Sequence, residues 1–130
     1  MKLLGLDIGE RRIGVAQANS EVRIAVPGEV LASDEVVYEN IRKLVAREKI
    51  EVVVVGLPRN SKGEETHQST YVRDFVARLK LSVPVHLQDE SLTSVLAEER
   101  LRERGKPYTK GEVDITAATL ILNDYLERNF

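Results

Sequence analysis

The fold is decided near the amino terminus, by residues 2–18, which read KLLGLDIGERRIGVAQA. After the initial lysine, residues 3–8 are apolar except for Asp7, which is the pattern of a strand buried on both faces. A turn composition, GERR, follows at residues 9–12, and the apolar pattern resumes over residues 13–18. Because so short a turn separates the two strands, they are predicted to pair as an antiparallel hairpin.

Beyond this hairpin, the pattern alternates between strands and helices. Four consecutive valines predict a central parallel strand over residues 51–57. Further strands are predicted at residues 22–31, interrupted by Pro27-Gly28, and at residues 83–88. Helices are predicted at about residues 34–48, 93–104 and 112–127, and in the segment that carries Val72, Phe75, Val76 and Leu79 on its inner face. This order predicts an α/β fold with a mixed five-stranded sheet, one antiparallel hairpin strand and flanking helices.

Length and composition narrow the class of protein. The 130 residues suit a single domain spanning residues 1–130. The absence of cysteine excludes disulfides and thiolate chemistry, and two histidines leave little room for a zinc site. No apolar run approaches the roughly 18 residues of a membrane span, so we expect a cytoplasmic protein without a membrane partner. A net charge of −2 does not indicate a nucleic-acid binder, although a local basic patch would suffice for one.

Three acidic side chains from distant parts of the chain are predicted to meet at one edge of the sheet. Asp7 ends the first strand, Glu90 follows the strand of residues 83–88, and Asp114 lies in the first turn of the last helix. Two like charges about 4 Å apart repel by roughly 4 kcal/mol, so either one acid holds a proton or a cation lies between them. All-oxygen ligands favour Mg²⁺ or Mn²⁺, and two such ions suit phosphodiester hydrolysis.

Two of these acids also have simpler explanations. Asp114 is favoured near a helix amino terminus by the helix dipole, and Glu90 fits a solvated turn. Asp7 is harder to explain without a partner or an ion, because it ends an apolar central strand. Thr93 is expected to cap the helix that follows it.

Four ordered motifs run through nearly the whole chain. They are GLDIGERRIGVA at residues 5–16, Gly56-Leu57-Pro58 with Gly63 and Phe75 beyond, DESLTS at residues 89–94, and KGEVD at residues 110–114 followed by Ala117-Ala118 and Ile121-Leu122. Together they resemble the YqgF/RuvX family, bacterial relatives of Holliday junction resolvases to which processing of 16S ribosomal RNA precursors is assigned. The resemblance implies a ribonuclease H-like fold, a nuclease that acts at the 5′ end of that precursor, and a catalytic metal site at Asp7, Glu90 and Asp114.

The third motif departs from the family pattern at one position. The family usually has arginine after the glutamate, whereas this chain has Ser91. An arginine there could contact a phosphate or offset the acids, so its loss affects the expected grip on substrate and removes no metal ligand.

Eight further residues are predicted to contact nucleic acid. Basic side chains on loops beside the acids can grip phosphates, and a tyrosine can stack on a base. The candidates are Arg11 and Arg12 on the hairpin turn, Arg59 and Lys62 after the central strand, and Arg104, Lys106, Tyr108 and Lys110 before the last helix. Each charge could equally be solvated surface, and only its position beside the acids favours a binding role.

Other functions stay open at this point. The substrate could be RNA or branched DNA, and cleavage of DNA junctions would require a homodimer with two active sites. A binding module without catalysis would also fit Ser91 and the acidic net charge. An ATPase lobe is disfavoured, since the chain is too short for a second lobe and has no Walker A pattern.

Overall fold

The computed structural model describes residues 1–90 and 93–130, apart from the side chain of Ser94. Strands and helices alternate after an initial run of three strands. In chain order the elements are β1 (Lys2–Ile8), β2 (Arg12–Asn19), β3 (Ile24–Ala32), α1 (Val37–Arg47), β4 (Val52–Pro58), α2 (His67–Leu79), β5 (Val85–Glu90), α3 (Thr93–Glu103) and α4 (Lys110–Asn129). No helix in the described ranges has the length and hydropathy needed to cross a membrane.

The five strands form one mixed sheet in the order β3-β2-β1-β4-β5. β2 runs antiparallel to both of its neighbours, whereas β1, β4 and β5 are parallel. The predicted hairpin and central parallel strand are therefore confirmed. Since the three parallel strands end at the same edge of the sheet, that edge collects whatever side chains follow or close them.

Each face of the sheet carries its own apolar core. Side chains alternate along a strand, so Leu4 and Leu6 of β1 join the core beneath α1 and α2, and Leu3 joins the core beneath α4. α1 and α2 cover the first face with buried residues at helical spacing, as predicted for α1: Val37, Ile41, Leu44 and Val45. α4 covers the second face, and α3 packs beside it.

The third strand is continuous where an interruption was predicted, and it spans Ile24–Ala32 instead of residues 22–31. β3 continues through Pro27-Gly28, and Pro27 pairs with Ala16 next to a shift of register between Gly14 and Ala16. A proline is tolerated here because β3 is an edge strand, where a missing N–H group deprives no neighbouring strand of a hydrogen bond. The predicted interruption of this strand was wrong.

The helices differ from prediction mainly at their starts. α1 begins at Val37 instead of residue 34, because Asp34 Oδ1 accepts a hydrogen bond from Val36 N and forms a turn there. α4 begins at Lys110 instead of residue 112, because Thr109 and Glu112 form a capping box. Asp114 is therefore in the second turn of α4, where the simpler explanation from the helix dipole loses most of its force.

Candidate active site

Three acids line one cavity of about 310 Å³ at the carboxyl edge of the sheet. Asp7 is the penultimate residue of β1, on the strand face that α4 covers, and pairs with Gly14 of β2. Glu90 is the last residue of β5, where the sequence placed it just beyond the strand, and Asp114 projects from α4. The predicted turn at residues 89–91 is thus partly strand, and its Ser91 lies outside the described residues. The geometry brings together three acids that are separated by 83 and 24 residues in sequence.

The remaining walls of the cavity are largely apolar. The residues that line it besides the acids are Ile8, Gly9, Gly56, Pro58, Gln68, Thr93, Val95 and Ile121. Apolar walls lower the local dielectric, so charges on the three acids interact more strongly there than they would in water.

Asp7 is the acid whose ionisation is disfavoured by this arrangement. Burial, foremost, and the nearby charges of Asp114 and Glu90 together raise the pKa of its carboxyl from 3.8 to about 7. In the free protein near neutral pH, Asp7 thus holds a proton for a substantial part of the time. The expectation that an acid must be protonated or neutralised by a cation applies to this residue.

Asp114 is neutralised from within the protein. The Arg12 guanidinium donates from Nε to Asp114 Oδ2 at 2.6 Å. Arg12 begins β2, so the ion pair joins the hairpin turn to α4. The sequence placed Arg12 on a substrate phosphate, whereas the structure gives it an intramolecular carboxylate.

Glu90 is held by two neighbouring side chains. Thr93 Oγ1 donates to Glu90 Oε2 at 2.5 Å, and Gln88 Nε2 approaches Glu90 Oε1 at 3.4 Å. Among the described contacts, the Thr93 hydroxyl has this carboxylate as its partner instead of a backbone N–H of α3. The expectation that Thr93 caps the helix was wrong, and its hydroxyl belongs to the acidic cavity.

The three carboxylates are suitable ligands for a hard divalent cation, although they are not yet close enough together to coordinate one. In the described part of the chain, no three acidic or histidine side chains converge closely enough to form a metal cluster. Arg12 forms an ion pair with Asp114, and Thr93 donates a hydrogen bond to Glu90. The anionic form of Asp7 is destabilised, as its raised pKa shows. Carboxylate oxygens are the ligands that Mg²⁺ and Mn²⁺ prefer, and a cation would relieve the repulsion that raises the pKa of Asp7.

The basic residues predicted to contact nucleic acid are not among the described residues that line this cavity. Arg11 is exposed on the hairpin turn. Arg59 forms an ion pair with Asp89 Oδ1 at 2.9 Å and donates to the Gly63 carbonyl, so much of its charge is already compensated. Lys62 is exposed in the same loop. This loop and Glu90 border a second, smaller cavity of about 190 Å³ beside the first.

The stretch between α3 and α4 divides into paired and solvated residues. Arg104 forms an ion pair with Glu112 at 2.9 Å, which joins the end of α3 to the start of α4. Lys106 and Lys110 are exposed, and Tyr108 is half-buried. The two lysines are therefore better placed than Arg104 to meet a phosphate.

Sequence reasoning missed two residues at the cavity and misread one. Gln68 and Val95 line it from the first turns of α2 and α3, and Thr93 was assigned to the backbone. One signal was available for Gln68 and Val95. A helix that follows a parallel strand begins at the edge where that strand ends, so its first turn borders a site there.

Comparison with known families agrees with the motifs. The model of the RuvX family, described as a Holliday junction resolvase, matches residues 1–128. Three curated relatives carry the provisional name of a pre-16S rRNA nuclease. One from a Sulfurihydrogenibium species is 41% identical over 98% of this chain and 90% of its own. One from Chloroflexus aggregans is 45% identical over 96% of this chain and 92% of its own length. One from Shewanella oneidensis is 40% identical over 98% of this chain and 95% of its own length.

Solved structures show the same architecture at much lower identity. RuvC of T. thermophilus, in complex with a Holliday junction substrate, has a TM-score of 0.61 and 19% identity over 98% of this chain and 94% of its own. The fowlpox virus Holliday junction resolvase has a TM-score of 0.58 and 15% identity over 98% of this chain and 99% of its own. At these identities the likeness shows the fold, which is ribonuclease H-like as predicted.

Proposed function

This chain belongs to the RuvX family, and from that premise we propose that it is a divalent-metal-dependent nuclease that hydrolyses phosphodiester bonds in RNA. The proposed substrate is the 16S ribosomal RNA precursor at its 5′ end, because the curated relatives carry that name at 40–45% identity over nearly their full length. A cytoplasmic location would follow from such a substrate.

The observation that carries the proposal is the convergence of Asp7, Glu90 and Asp114 on one cavity. These acids would hold Mg²⁺ or Mn²⁺, two ions in the proposed form of the site. When bound, such ions supply the positive charge that activates a water and steadies the leaving oxygen of a phosphodiester. The protein does the rest by orienting the acids and by limiting access of bulk water with apolar walls.

The proton on Asp7 gives the site a defined response to pH. With a pKa near 7 in the free protein, Asp7 exchanges its proton at physiological pH. A cation must therefore displace that proton in part of the population, so cation binding should strengthen as pH rises through 7. This dependence comes from burial and the two acidic neighbours, which the structure describes.

Substrate binding is proposed to depend on the basic residues around the cavity. Lys106 and Lys110 are exposed near the start of α4, which carries Asp114, and Arg11 is exposed on the turn beside Asp7. The same role in RNA binding is proposed for Lys62, Arg59, Arg104 and Tyr108. The two arginines would contribute less charge to it, because each already forms an ion pair with an acid of the protein. Arg12 would serve substrate only after releasing Asp114.

The test is cleavage by the purified protein in Mn²⁺ of an end-labelled RNA that carries the 5′ extension of the 16S precursor. We expect cleavage that requires the metal, and its loss in Asp7→Asn with folding retained. The matched control is Asp34→Asn, which changes an exposed aspartate in the turn before α1 and should leave cleavage unchanged. Full cleavage by Asp7→Asn, or equal cleavage in a chelator, would refute the proposal. Tight RNA binding without cleavage would indicate a binding module instead.

A branched DNA substrate is the second candidate, favoured by the description of the family as Holliday junction resolvases. A four-way DNA junction assayed beside the RNA discriminates the two substrates directly. Resolution of a junction needs two active sites, so junction cleavage should be accompanied by a homodimer in analytical ultracentrifugation. Cleavage of RNA by a monomer would exclude this alternative for the natural activity.

A further inference from the structure

Thr93 occupies an unusual position for a threonine at the start of a helix. It is the first residue of α3, lies three residues after Glu90 and is only 9% exposed. It lines the acidic cavity together with the three carboxylates. A buried hydroxyl needs a hydrogen-bond partner, and its partner here is a charged side chain of the candidate site.

Two described side chains contact the Glu90 carboxylate, and Thr93 is the closer of them. Thr93 Oγ1 donates to Glu90 Oε2 at 2.5 Å. Gln88 Nε2 is 3.4 Å from Glu90 Oε1, but it donates at shorter range to Asp124 Oδ2, at 2.8 Å, and to the Ile121 carbonyl, at 3.2 Å. Gln88 is therefore committed to α4, and Thr93 is the side chain that determines where the Glu90 carboxylate lies.

We propose that Thr93 is a positioning residue that fixes the Glu90 carboxylate for binding a divalent cation through its other oxygen. The proposal rests on the proposed function. The hydroxyl occupies Oε2 and restricts the rotation of a long, flexible side chain, while the contact that described residues make to Oε1 is the long one from Gln88. Hydrogen bonds from outer residues to a metal-ligating carboxylate orient it, and their removal commonly weakens metal binding by about 10–100-fold.

A purely structural role for Thr93 makes a different prediction. If the side chain only packed at the start of α3, its shape would matter and its hydroxyl would not. Thr93→Val keeps the shape and removes the hydroxyl, whereas Thr93→Ser keeps the hydroxyl and removes a methyl group. If Thr93 positions Glu90, Thr93→Val should weaken cation binding and Thr93→Ser should preserve it. If Thr93 is purely structural, Thr93→Val should preserve cation binding and Thr93→Ser should weaken it.

The experiment measures Mn²⁺ binding by isothermal titration calorimetry in the full-length protein, with Mn²⁺ alone as the probe. We expect Thr93→Val to raise the dissociation constant by roughly 10–100-fold and Thr93→Ser to remain close to the wild type. The matched control is Thr119→Val on α4, which removes a partly buried hydroxyl that donates to the Ile115 carbonyl at 2.8 Å, away from Glu90. Thr119→Val should leave Mn²⁺ binding unchanged. Melting curves without metal verify that each variant folds.

RNA cleavage provides a second readout. Because Thr93 acts through Glu90 and does not reach the phosphate backbone in this proposal, Thr93→Val should lower kcat at saturating RNA and leave KM for RNA nearly unchanged. Thr93→Ser should restore kcat.

The outcomes separate this proposal from the one it rests on. If the wild type binds Mn²⁺ and cleaves RNA while Thr93→Val binds Mn²⁺ equally well, the positioning role is wrong and the nuclease stands. Should Thr93→Val fail to fold, loss of Mn²⁺ binding in a folded Thr93→Ser would overturn the positioning role by itself. A wild type that binds no Mn²⁺ would overturn both proposals.

Discussion

Arg12 and Asp114 form an ion pair across 102 residues of sequence, with Arg12 Nε 2.6 Å from Asp114 Oδ2. The guanidinium neutralises one of the two acids that raise the pKa of Asp7. The free protein thus stabilises its acidic cavity with a cation of its own. A divalent ion that took Asp114 as a ligand would compete with Arg12, and the released guanidinium would become available to a phosphate.

This competition predicts opposite effects of Arg12→Gln on folding and on metal binding. Without metal, the variant should lose about 1 kcal/mol of stability, because Asp114 remains beside Asp7 without its partly exposed ion-pair partner. Binding of Mn²⁺ should become tighter, because no guanidinium has to be displaced. Urea denaturation and calorimetry measure the two effects. Arg11→Gln, on the same turn but exposed, is the matched control and should change neither. Weaker Mn²⁺ binding in Arg12→Gln would show that Arg12 organises the site instead of competing for it.

The raised pKa of Asp7 predicts how stability varies with pH. The folded state holds this proton more tightly than the unfolded state, whose pKa is near 3.8, so the folded state binds more protons between about pH 4 and pH 7. Wild-type stability contributed by this group therefore falls as pH rises through that window, and the loss is complete above about pH 7. A rise from 3.8 to about 7 corresponds to roughly 4 kcal/mol at about 1.36 kcal/mol per pH unit.

Asp7→Asn should remove this penalty. The stability of the variant relative to wild type should increase from about pH 4 to pH 7, as measured by urea denaturation at a series of pH values without metal. Saturating Mn²⁺ should reduce the difference, since it stabilises only the wild-type site. Asp34→Asn should run parallel to wild type across the series. A constant difference between Asp7→Asn and wild type would mean that the Asp7 carboxyl titrates alike in both states.

Gly14 is predicted to be intolerant of any side chain. A Cβ atom at this position would overlap the backbone oxygen of Asp114, so α4 could not approach β2 as it does. Gly14→Ala should cost several kcal/mol, as overpacking against rigid backbone does, and should displace Asp114 from the cavity. Thermal melting and Mn²⁺ titration would report both effects. Gly111→Ala in the first turn of the same helix is the control, because its Cβ would make ordinary contacts, at 3.4 Å to Val30 Cγ1 and 3.7 Å to Thr109 Oγ1. It should be neutral or slightly stabilising, since alanine favours a helix.

The exposed lysines before Asp114 should show their role in the salt dependence of RNA binding. Lys106→Ala and Lys110→Ala should each weaken binding and lower the slope of log affinity against log salt by about 0.7, the value for one phosphate contact on a single strand. Arg104→Ala should have a smaller effect, because Arg104 is paired with Glu112. Lys43→Ala on α1, where Lys43 pairs with Glu39, should leave the slope unchanged. Equal slopes for all four variants would place the RNA elsewhere on the protein.

Local patterns predicted the parts of the fold that depend on neighbouring residues in sequence. Four valines between turn residues predicted β4, and helical spacing predicted the buried face of α1. The interruption at Pro27 was wrong because whether a proline breaks a strand depends on its place in the sheet, and β3 lies at the edge. The start of α4 was placed two residues late, although the capping residues Thr109 and Glu112 were visible in the sequence.

In the acidic site, the sequence predicted the positions of the acids and did not predict their side-chain partners. Strand order, motif spacing and residue type were enough to bring Asp7, Glu90 and Asp114 to one edge, because parallel strands end together. The partners of these acids were not accessible in the same way. Arg12 was predicted to face a phosphate and Thr93 a helix backbone, whereas packing of α4 against β2 and of α3 beside α4 gives both residues a carboxylate. Side-chain partners depend on distances between elements that meet only in the folded chain, and those distances determine which acid is paired, which is oriented and which keeps its proton.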